Sequence, residues 1–451
     1  MTKSFDLIAI GTGAAASTVA YKCRAAGWNV AIIDSRPFGG TCALRGCDPK
    51  KVLVGAADLI DWNNRMAKEG ITYPNVKMDW PALMRFKRSF TEPVPENREK
   101  GFVDAGIATF HGRARFVDQT TIGVGSDTIS GRYVIIATGA QPAKLGIAGE
   151  EYLTTSEQFL ELDRLPERII FVGGGYISFE FAHLAARADA QVRVLHKGSR
   201  PLKGFDPDLV DQLVQATHEV GIDVRLNTSV IAIEKLSDHL LVRASTDGSD
   251  QQSFDTELVV HGAGRVPEID DLELEKAEIK SGPKGILVNQ YLQSVSNPAV
   301  YAAGDAAATD GLPLTPVASV EGHVVASNLL KGNHLSPDYA GVPTVVFTIP
   351  PLASAGLQEE DARKQGLRFR TNYKETSSWY SSRRVNEKHS GHKVLVEDES
   401  GRILGAHLLG PNAEEVINLF AIAIRSGLRA NDLKKMIYAY PSSSSDISYM
   451  V

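Results

Sequence analysis

Apolar positions in this chain twice form the same series of elements. The run FDLIAI at residues 5–10 leads into a glycine-rich turn, a helical pattern (STVAYKCRAAG) and a second apolar run (WNVAIID). The run RIIFV at residues 168–172 leads in the same way into glycines, a helical pattern and the run AQVRVLH. Buried parallel strands read as continuous apolar runs, and helices as apolar residues at i, i+3 and i+4. The pattern therefore predicts two strand–turn–helix–strand units.

The remaining pattern predicts further helices and strands. Helical spacing favours helices over 51–68 and 80–100, and strands are predicted in ATFHGRARFV, TTIGVG, DTISGRYVIIATGA, DVRLNTSVIAIEKL, LLVRASTD and ELVVHGAG. From about residue 340 the predicted strands are TVVFTI, RFRTNY, HKVLVED and ILGAHLLG, followed by the helix EEVINLFAIAIRSGL. This last region contains no nucleotide-binding turn, so we expect a structural or dimerisation domain there.

Composition limits the function classes. The 451 residues carry a net charge of -6 and are 43% hydrophobic and 23% charged, which is typical of a soluble multidomain protein. Without a basic field we expect no nucleic-acid partner, and no apolar stretch reaches membrane-spanning length. Three cysteines are too few for a disulfide framework and indicate a reducing compartment. A strand-like run starts close to the N-terminus, so we expect no signal peptide and a cytoplasmic protein.

The glycine turn of the first unit has the chemistry of a dinucleotide site. Gly11 and Gly13 permit a tight turn and the close approach of a pyrophosphate, and the small Ala16 takes the third position of the pattern. The N-terminus of the following helix offers free N–H groups, and Asp34 at the end of the next strand can bind ribose hydroxyls. An ordinary turn rich in small residues is the alternative.

The second unit predicts a nucleotide site of different specificity. Gly173 and Gly175 take the first two positions, and Ser178 takes the third, where glycine or alanine is usual. The following strand ends in cations, with no acid before Asp206. Cations suit a ribose 2′-phosphate and leave nothing to hold a free 2′-hydroxyl, which favours NADPH over NADH; a solvated basic loop is the alternative. The cations are His196, Lys197, Arg200 and Lys203.

Two of the three cysteines lie five residues apart in the segment GGTCALRGCDPKK. A redox-active cysteine works as its thiolate, which nearby positive charge or a helix N-terminus stabilises. Arg45, Lys50 and Lys51 supply that charge. Cys42 and Cys47 are therefore a candidate dithiol that opens and closes against a bound electron carrier. Two cysteines that share a loop by chance are the alternative.

A second ligand-facing region is predicted near residue 305. The apolar run of PAVYAAGDAAA delivers Asp305 at its C-terminal end, where open α/β sheets bind their ligands. The stretch LTPVASVEGHVVASNLL then begins a helix, whose N-terminus favours negative charge developing on the same ligand.

These motifs together resemble those of the pyridine nucleotide–disulfide oxidoreductase family, the group of glutathione reductase, dihydrolipoamide dehydrogenase and mercuric reductase. The resemblance covers essentially the whole chain. Its markers, in family order, are GTGAAA, GGTCALRGCDPKK, ATGAQP, GGGYISFE, GAGRVP, YAAGDA, LTPVAS and GRILGAHLLGP. It implies an α/β fold with two Rossmann-like dinucleotide-binding domains and an α+β C-terminal dimerisation domain. The implied segments are an FAD-binding domain at 1–145 and 264–338, an NAD(P)H-binding domain at 146–263 and the dimerisation domain at 339–451.

The resemblance also implies which residues bind cofactors. The first glycine turn and Asp34 would hold the ADP half of FAD. The second turn would hold NADPH, with Tyr176 as the ring that shields the flavin until the nicotinamide displaces it. Further cofactor-binding residues implied are Gly40, Thr41, Lys51, Ala114, Thr138, Gly139, Ile177, Gly264, Arg265, Asp305, Thr315 and Ala318.

For catalysis the resemblance implies a dithiol and an ion pair. Cys47 would be the thiolate next to the flavin, in a charge-transfer interaction, and Cys42 the outer, interchange thiol that attacks the substrate. Lys50 and Glu180 match the family's ion pair beside the flavin N5. Family members form homodimers through the last domain, and the C-terminal tail completes the partner's active site.

The tail departs from the family pattern. Glutathione- and lipoamide-type enzymes carry a His-Pro and then a Glu, where the His is the acid/base that serves the interchange thiol. Here Tyr440 precedes Pro441, Ser445 takes the Glu position and Asp446 follows it. A phenol ionises near pH ~10 and exchanges protons poorly near neutrality, where imidazole, at about 6.5, serves well. We expect Tyr440 to cripple glutathione-type turnover while donating a hydrogen bond, with Tyr438 nearby; a packing role is the alternative.

The expected function is electron transfer from NADPH through FAD to the Cys42–Cys47 disulfide and on to an acceptor. A small disulfide is the family default, whereas a metal ion, an oxidised inorganic species or a quinone fits Tyr440 better. The alternatives are a mercuric-reductase-like enzyme, a dihydrolipoamide dehydrogenase and a redox-sensing flavoprotein with little turnover. We expect a homodimer with a small-molecule substrate, with no membrane or nucleic-acid partner and with no metal-binding site in the protein itself.

Overall fold

The chain divides into two compact units. A computed structural model describes residues 3–71, 76–246 and 250–451. The first unit consists of Met1–Lys50, Phe86–Ala143 and Arg265–Tyr339, and the second of Lys51–Arg85, Lys144–Gly264 and Ala340–Val451.

Strands and helices are numbered here in chain order. Up to residue 143 the strands are β1 (Lys3–Ile10), β2 (Val30–Asp34), β3 (Ala108–His111), β4 (Ala114–Phe116), β5 (Thr121–Val124), β6 (Asp127–Ile136) and β7 (Ala140–Pro142), and the helices are α1 (Ala14–Ala25), α2 (Gly40–Arg45), α3 (Cys47–Met66), α4 (Trp80–Thr91) and α5 (Val94–Asp104). Residues 144–264 add α6 (Ser156–Phe159), β8 (Arg168–Val172), α7 (Tyr176–Arg187), β9 (Gln191–Leu195), α8 (Pro207–Glu219), β10 (Asp223–Arg225), β11 (Thr228–Lys235), β12 (Leu240–Thr246), β13 (Asp250–Thr256) and β14 (Leu258–His261). Residues 265–339 add β15 (Arg265–Pro267), β16 (Ser281–Gly282), β17 (Gly285–Leu287), β18 (Val300–Ala302), β19 (Ala307–Ala308) and α9 (Thr315–Lys331). The remainder forms β20 (Pro343–Val346), β21 (Leu352–Gly356), α10 (Glu359–Lys364), β22 (Phe369–Glu375), α11 (Tyr380–Arg383), β23 (Gly391–Glu397), β24 (Ile403–Leu409), α12 (Ala413–Arg425), α13 (Ala430–Lys435) and α14 (Ile447–Met450).

A seven-stranded sheet organises the first unit. Its strand order is β3-β2-β1-β6-β5-β4, and β18 also pairs with β6. The pairs of β1 with β2 and β6, of β2 with β3 and of β18 with β6 are parallel. Along β1, Ile8 and Ile10 pack into one core cluster, whereas Leu7 and Ala9 pack into another. Both faces of the strand are therefore covered, which explains the continuous apolar run in its sequence.

The described residues of the second unit form three sheets. A parallel sheet has the strand order β10-β9-β8-β14. Between β10 and β14 in the sequence, the strands β11, β12 and β13 form an antiparallel sheet in that order. The C-terminal region forms a five-stranded antiparallel sheet of order β20-β21-β24-β23-β22. Helix α12 packs on β21 and β24, with Ile417 and Phe420 in the core beneath it. The predicted fold class, two Rossmann-like domains and an α+β C-terminal domain, is confirmed.

Some predicted elements were wrong in detail. The helix predicted over 80–100 is two helices, α4 and α5, because Pro93 lies between them and cannot donate a backbone N–H to a continuous helix. Strands β13 and β21 were not predicted, and the run TVVFTI is strand only as far as Val346. Among the described helices, none is long and apolar enough to cross a membrane.

Candidate active site

The segment that carries the two cysteines begins at glycines with left-handed backbone. Gly39 has φ 137° and Gly40 has φ 73°. A Cβ at Gly40 would lie 2.6 Å from Cα of Gly13, the second glycine of the first turn. Only glycine tolerates both that φ and that contact. The cysteine segment is thereby held directly against the candidate dinucleotide turn.

Cys42 and Cys47 lie within hydrogen-bonding reach of each other. Cys42 is half-buried in α2, and Cys47 is the exposed first residue of α3; both thiols are free. The break between the two helices at Gly46 lets a spacing of five residues bring the sulfurs together.

The two thiols have opposite pKa shifts. The hydrogen bond from Cys42, helped by Thr315 and by the charge of Lys50, lowers the pKa of Cys47 to about 6, against the effects of burial and of Asp48. The same hydrogen bond, together with burial, raises the pKa of Cys42. At neutral pH the pair therefore keeps a proton on Cys42 and presents Cys47 as a thiolate.

Thr315 brings a helix N-terminus to this thiolate. Its Oγ1 lies 3.7 Å from Sγ of Cys47. Thr315 is the first residue of α9, a helix of 17 residues, and the preceding Leu314 provides no side-chain cap. The positive end of a helix dipole favours a negative charge placed there.

The first glycine turn has the geometry of a dinucleotide cradle. Gly11 has φ 108°, and a Cβ there would lie 2.3 Å from the carbonyl oxygen of Ala137. A Cβ at Gly13 would meet no atom within 4 Å, so this side of the turn is open. Asp34 Oδ2 accepts hydrogen bonds from the N–H of Thr12 at 2.9 Å and from its hydroxyl at 2.5 Å. Asp34 thus also fixes the shape of the turn.

The residues predicted for FAD fit a large polar ligand. The Thr138 hydroxyl is buried and has no hydrogen-bond partner among the described residues. Gly139 has φ 76° and open space where a Cβ would stand. Burial raises the pKa of Asp305, and the charge of Arg265 opposes that rise. Unsatisfied polar groups beside an open glycine turn are what a bound dinucleotide would use.

Glu321, which the sequence reasoning missed, supports the turn that presents Asp305. It is 1% exposed, and its Oε2 accepts the N–H of Gly304 at 2.6 Å. Its Oε1 accepts the hydroxyls of Tyr339 at 2.6 Å and Thr309 at 3.0 Å. A buried carboxylate with three donors holds the backbone next to Asp305 in one conformation.

Other residues predicted for the first unit lie on separate helices and strands of that unit. Ala16 is buried in α1, Ala114 is buried at the start of β4, Thr41 is half-buried in α2 and Ala318 is half-buried in α9.

The second glycine turn repeats the geometry of the first within its own unit. Gly173 has φ 107°, and a Cβ there would lie 2.4 Å from the carbonyl oxygen of Gly262. Gly175 is the N-cap of α7 and gives no side-chain cap. A Cβ at Gly262 would lie 2.0 Å from Oγ of Ser178. A glycine or alanine at the third position of the pattern usually permits close packing. Here that position is Ser178, and Gly262 on the facing segment provides the space instead.

Of the four basic residues predicted after β9, Lys197, Arg200 and Lys203 can offer a positive charge to a ligand, whereas His196 cannot. Burial, with the charges of Lys203 and Lys197, lowers the pKa of His196, and its Nε2 donates to the Arg200 carbonyl at 3.1 Å. The His196 ring also packs on Gly174, where a Cβ would lie 2.6 Å from Cγ. His196 is therefore a neutral packing residue at neutral pH. Lys197 and Lys203 are exposed and Arg200 is half-buried.

Helix α7 holds the chain just after β20 through buried side chains. Oε1 of Glu180 accepts the N–H of Phe347 at 2.8 Å, and Nδ1 of His183 accepts the N–H of Ile349 at 3.1 Å. Burial holds the pKa of His183 well below its usual value, so the imidazole is neutral. Lys51 places its Nζ 4.2 Å from the centroid of the Phe347 ring. Tyr176 and Ile177, the first residues of α7, are exposed and half-buried, and Gly264 is exposed.

Of the two tyrosines that flank Ala439 in the C-terminal tail, only Tyr440 is largely accessible. Tyr440 is 84% exposed, whereas the Tyr438 hydroxyl donates to the last turn of α13 at 3.1 Å. Ser445 Oγ donates to the backbone of the tail itself at 2.6 Å, and Asp446 accepts from Ser381. Burial raises the pKa of Asp446. Ser445 and Asp446 thus serve local structure, whereas the Tyr440 side chain next to Pro441 is exposed.

Comparison with known sequences decides the family. A sequence profile described as pyridine nucleotide-disulphide oxidoreductase matches residues 5–322, and the profile of the corresponding dimerisation domain matches residues 342–451. The chain belongs to the pyridine nucleotide–disulphide oxidoreductase family. The predicted family and the predicted class of enzyme, an oxidoreductase, are confirmed. The family uses FAD and a nicotinamide cofactor, and the dimerisation domain indicates a homodimer.

Individual members of the family resemble the whole chain. A glutathione reductase of Burkholderia cepacia is 32% identical over 97% of this chain and 96% of its own. A mercuric reductase of Lysinibacillus sphaericus is 30% identical over 97% of this chain and 80% of its own. The solved Cu(II) complex of RclA, an HOCl-induced flavoprotein disulfide reductase from Escherichia coli, has a TM-score of 0.89 at 27% identity, over 100% of this chain and 99% of that chain.

Proposed function

We propose that this family member is an NADPH-dependent flavoprotein reductase that delivers electrons through Cys42 and Cys47 to a small acceptor. The observation that carries the proposal is the pair of thiols with opposite pKa shifts, one of them a thiolate at neutral pH. When bound, FAD supplies the two-electron relay between the nicotinamide and the disulfide. The chain would hold it with Gly11, Gly13, Asp34, Thr138 and Asp305.

Cys42 and Cys47 have separate roles in this proposal. With a disulfide acceptor, the Cys42 sulfur loses its proton and bonds to one acceptor sulfur, and the other sulfur leaves as a thiolate. The Cys47 thiolate then attacks the Cys42 sulfur, releases the second acceptor thiolate and closes the Cys42–Cys47 disulfide. Two electrons pass from the cysteines to the acceptor, and each leaving thiolate needs a proton because thiols titrate near pH ~8.5.

The acceptor class follows from the group available to supply those protons. The tail carries Tyr440 where a histidine would serve as acid, and a phenol is a poor acid/base near neutrality. We therefore propose an acceptor whose reduction needs little proton transfer, such as a metal ion or an oxidised inorganic species. The likeness to a mercuric reductase and to the Cu(II) complex of the HOCl-induced RclA supports this class. A small disulfide is the second candidate, supported by the glutathione reductase relative.

The preference for NADPH rests on the charges after β9. Lys197, Arg200 and Lys203 can meet a 2′-phosphate. The first acid beyond them, Asp206, is 0% exposed and lies 2.7 Å from Nζ of Lys393, so it cannot serve a ribose hydroxyl. The second unit therefore offers cations and no free carboxylate at the position that decides between the two nucleotides.

Three further features belong to the proposal by family likeness. In the homodimer, the tail with Tyr440 completes the partner's active site. Lys50 and Glu180 take the sequence positions of the ion pair that members of the family hold beside the flavin. The protein works in the cytoplasm.

Anaerobic reduction of the purified, FAD-loaded protein tests the proposal. NADPH should bleach the flavin absorbance and develop a long-wavelength charge-transfer band, which Cys47→Ser should abolish and Cys42→Ser should retain. Turnover should then be measured with Cu²⁺, Hg²⁺, hypothiocyanite, quinones, glutathione disulfide and lipoamide. A band that survives Cys47→Ser, or vigorous turnover with NADH and dihydrolipoamide, contradicts the proposal.

A further inference from the structure

Asp48 places a carboxylate beside the interchange thiol. It is the second residue of α3 and is exposed. Sγ of Cys42 and Oδ1 of Asp48 lie 3.9 Å apart, within the range of hydrogen bonds made by sulfur. The first turn of a helix favours an acidic side chain, which accounts for a carboxylate at this position.

The negative charge of Asp48 acts on both sulfurs. It raises the pKa of Cys42 and the pKa of Cys47, while Lys50 lowers that of Cys47. Asp48 thus makes both thiols harder to deprotonate. A requirement for a thiolate therefore does not explain why a carboxylate stands at this position. The charge of Asp48 also acts on the acceptor that approaches Cys42.

We propose that Asp48 is a specificity-determining residue, which disfavours anionic acceptors at Cys42 and favours neutral or cationic ones. This rests on the proposed function, in which Cys42 is the sulfur that meets the acceptor. Any group that bonds to Sγ of Cys42 comes close to Oδ1, since the two atoms are only 3.9 Å apart. An acceptor charge that comes to about 4 Å from that carboxylate changes binding by roughly fivefold even in water.

The selection has a direct chemical meaning. Glutathione disulfide is a net anion at neutral pH, so the carboxylate repels it in addition to the handicap that Tyr440 imposes. A metal cation, or the uncharged acid form of an oxidised inorganic species, is attracted or left unaffected. Asp48 and Tyr440 therefore act in the same direction although they lie in different parts of the chain.

A charge series of small disulfides tests Asp48. Cystamine, 2-hydroxyethyl disulfide and 3,3′-dithiodipropionate have similar size and carry positive, no and negative charge. We expect wild-type holoenzyme to give kcat/KM in the order cation, neutral, anion. In Asp48→Asn the ratio of cation to anion should fall by roughly 25-fold, and Asp48→Glu should restore most of it. Glu275→Gln, which removes an exposed carboxylate from another surface segment, is the matched control.

Salt provides a second readout without any substitution. Raising the ionic strength from about 0.05 M to about 1 M should compress the cation-to-anion ratio of the wild type and leave that of Asp48→Asn nearly flat. A change in thiol pKa alone would alter all three acceptors together and leave the ratio unchanged. If the neutral disulfide is reduced but the ratio does not respond to Asp48→Asn, the Asp48 proposal is wrong. If Cys42→Ser still reduces the neutral disulfide, the proposed function itself fails.

Discussion

The hydroxyl of Thr315 lies 3.7 Å from Sγ of Cys47, although 268 positions separate the two residues. Thr315 lowers the pKa of Cys47, and it does so from the first position of α9. Threonine therefore contributes to making this sulfur a thiolate, besides any contact that it makes with a cofactor.

Replacing the hydroxyl should raise the pH at which Cys47 becomes reactive. In the reduced protein, alkylation of Cys47 should follow a titration with a midpoint of about 6 in the wild type. In Thr315→Val the midpoint should rise by roughly one pH unit, because a hydrogen bond to a charged acceptor is lost. Mass spectrometry of iodoacetamide adducts across pH 4–9 measures it. Ser327→Ala on the same helix is the control, and an unshifted midpoint in Thr315→Val would contradict the assignment.

Alanine at two glycines of the first turn should have different effects. Gly11→Ala should lower the melting temperature even without cofactor, because its Cβ would lie 2.3 Å from a carbonyl oxygen at a φ of 108°. Gly13→Ala should leave that temperature nearly unchanged, because Gly13 has φ -71° and open space around a Cβ. It should nevertheless weaken FAD binding by roughly tenfold or more, since only glycine allows the pyrophosphate to approach closely. Melting of the apoprotein and FAD titration by fluorescence measure both, and tight FAD binding by Gly13→Ala would place the cofactor elsewhere.

Removing two cations after β9 should discriminate between the nucleotides. The double variant Lys197→Ala/Lys203→Ala should lower kcat/KM for NADPH by roughly 10- to 100-fold and that for NADH by less than about threefold. The reason is that only NADPH carries the 2′-phosphate that these side chains would bind. Lys284→Ala, an exposed lysine of the first unit, is the control. Equal losses with both nucleotides would rule out recognition of the 2′-phosphate.

Restoring a histidine in the tail should partly restore disulfide chemistry. Tyr440→His should raise kcat for glutathione disulfide by roughly 10-fold or more, because an imidazole exchanges protons near neutral pH. The gain should be largest in combination with Asp48→Asn. Tyr449→His, at a position 72% exposed, is the control. A flat result for Tyr440→His would place the barrier in acceptor binding instead.

Buried histidines should make the fold acid-sensitive. Burial lowers the pKa of His392 to about 4, whereas an unfolded histidine titrates near 6.5. The unfolded state therefore takes up the proton first, and stability falls as pH drops from about 6.5 towards 4, by about 1.4 kcal/mol per pH unit. His392→Phe should remove about 2 kcal/mol of the loss between pH 7.5 and pH 5, measured by urea unfolding at fixed protomer concentration and cofactor loading.

A half-buried histidine gives a control of opposite sign. Asp238 raises the pKa of His239, so this group stabilises the fold below the unfolded pKa and loses its contribution as pH rises through the folded one. His239→Gln should therefore make the loss of stability in acid slightly larger. A wild type whose stability does not change between pH 7.5 and pH 5 would contradict the account of His392.

The parts of the fold that sequence predicted are those whose local and long-range requirements agree. The apolar runs of β1 and β8 are buried on both faces, and Gly11 and Gly173 each stand where a Cβ would meet backbone. Strand β21 escaped prediction because, after Leu352, its sequence (ASAG) consists of small residues of low β-propensity. It is nevertheless paired on both sides, with β20 and β24, so tertiary packing decides its conformation.

The site features that the sequence did not predict are contacts among side chains and backbone groups that only the folded structure brings together. Asp48 was visible inside the cysteine segment, but only the turn from α2 into α3 shows that its carboxylate faces Cys42 and not solvent alone. Glu321 is one of many acids on predicted helices, and no spacing rule connects it to Gly304. His196 was counted among the cations, and only its burial and its contact with Gly174 show that it is neutral. The division into four domain segments and the pairing of Lys50 with Glu180 stay predictions.

The contact between Ser178 and Gly262 links two positions that are far apart in sequence. A Cβ at position 262 would lie 2.0 Å from Oγ of Ser178. A larger residue at one of the two positions therefore requires a smaller residue at the other. In a designed or evolving sequence the two positions would have to change together. Alanine at position 262 would fit only if Ser178 were replaced by glycine. The familiar fingerprint of this turn is thus incomplete when read from the helix alone, and a search pattern that also weighs the residue after β14 would recognise relatives that the shorter pattern rejects.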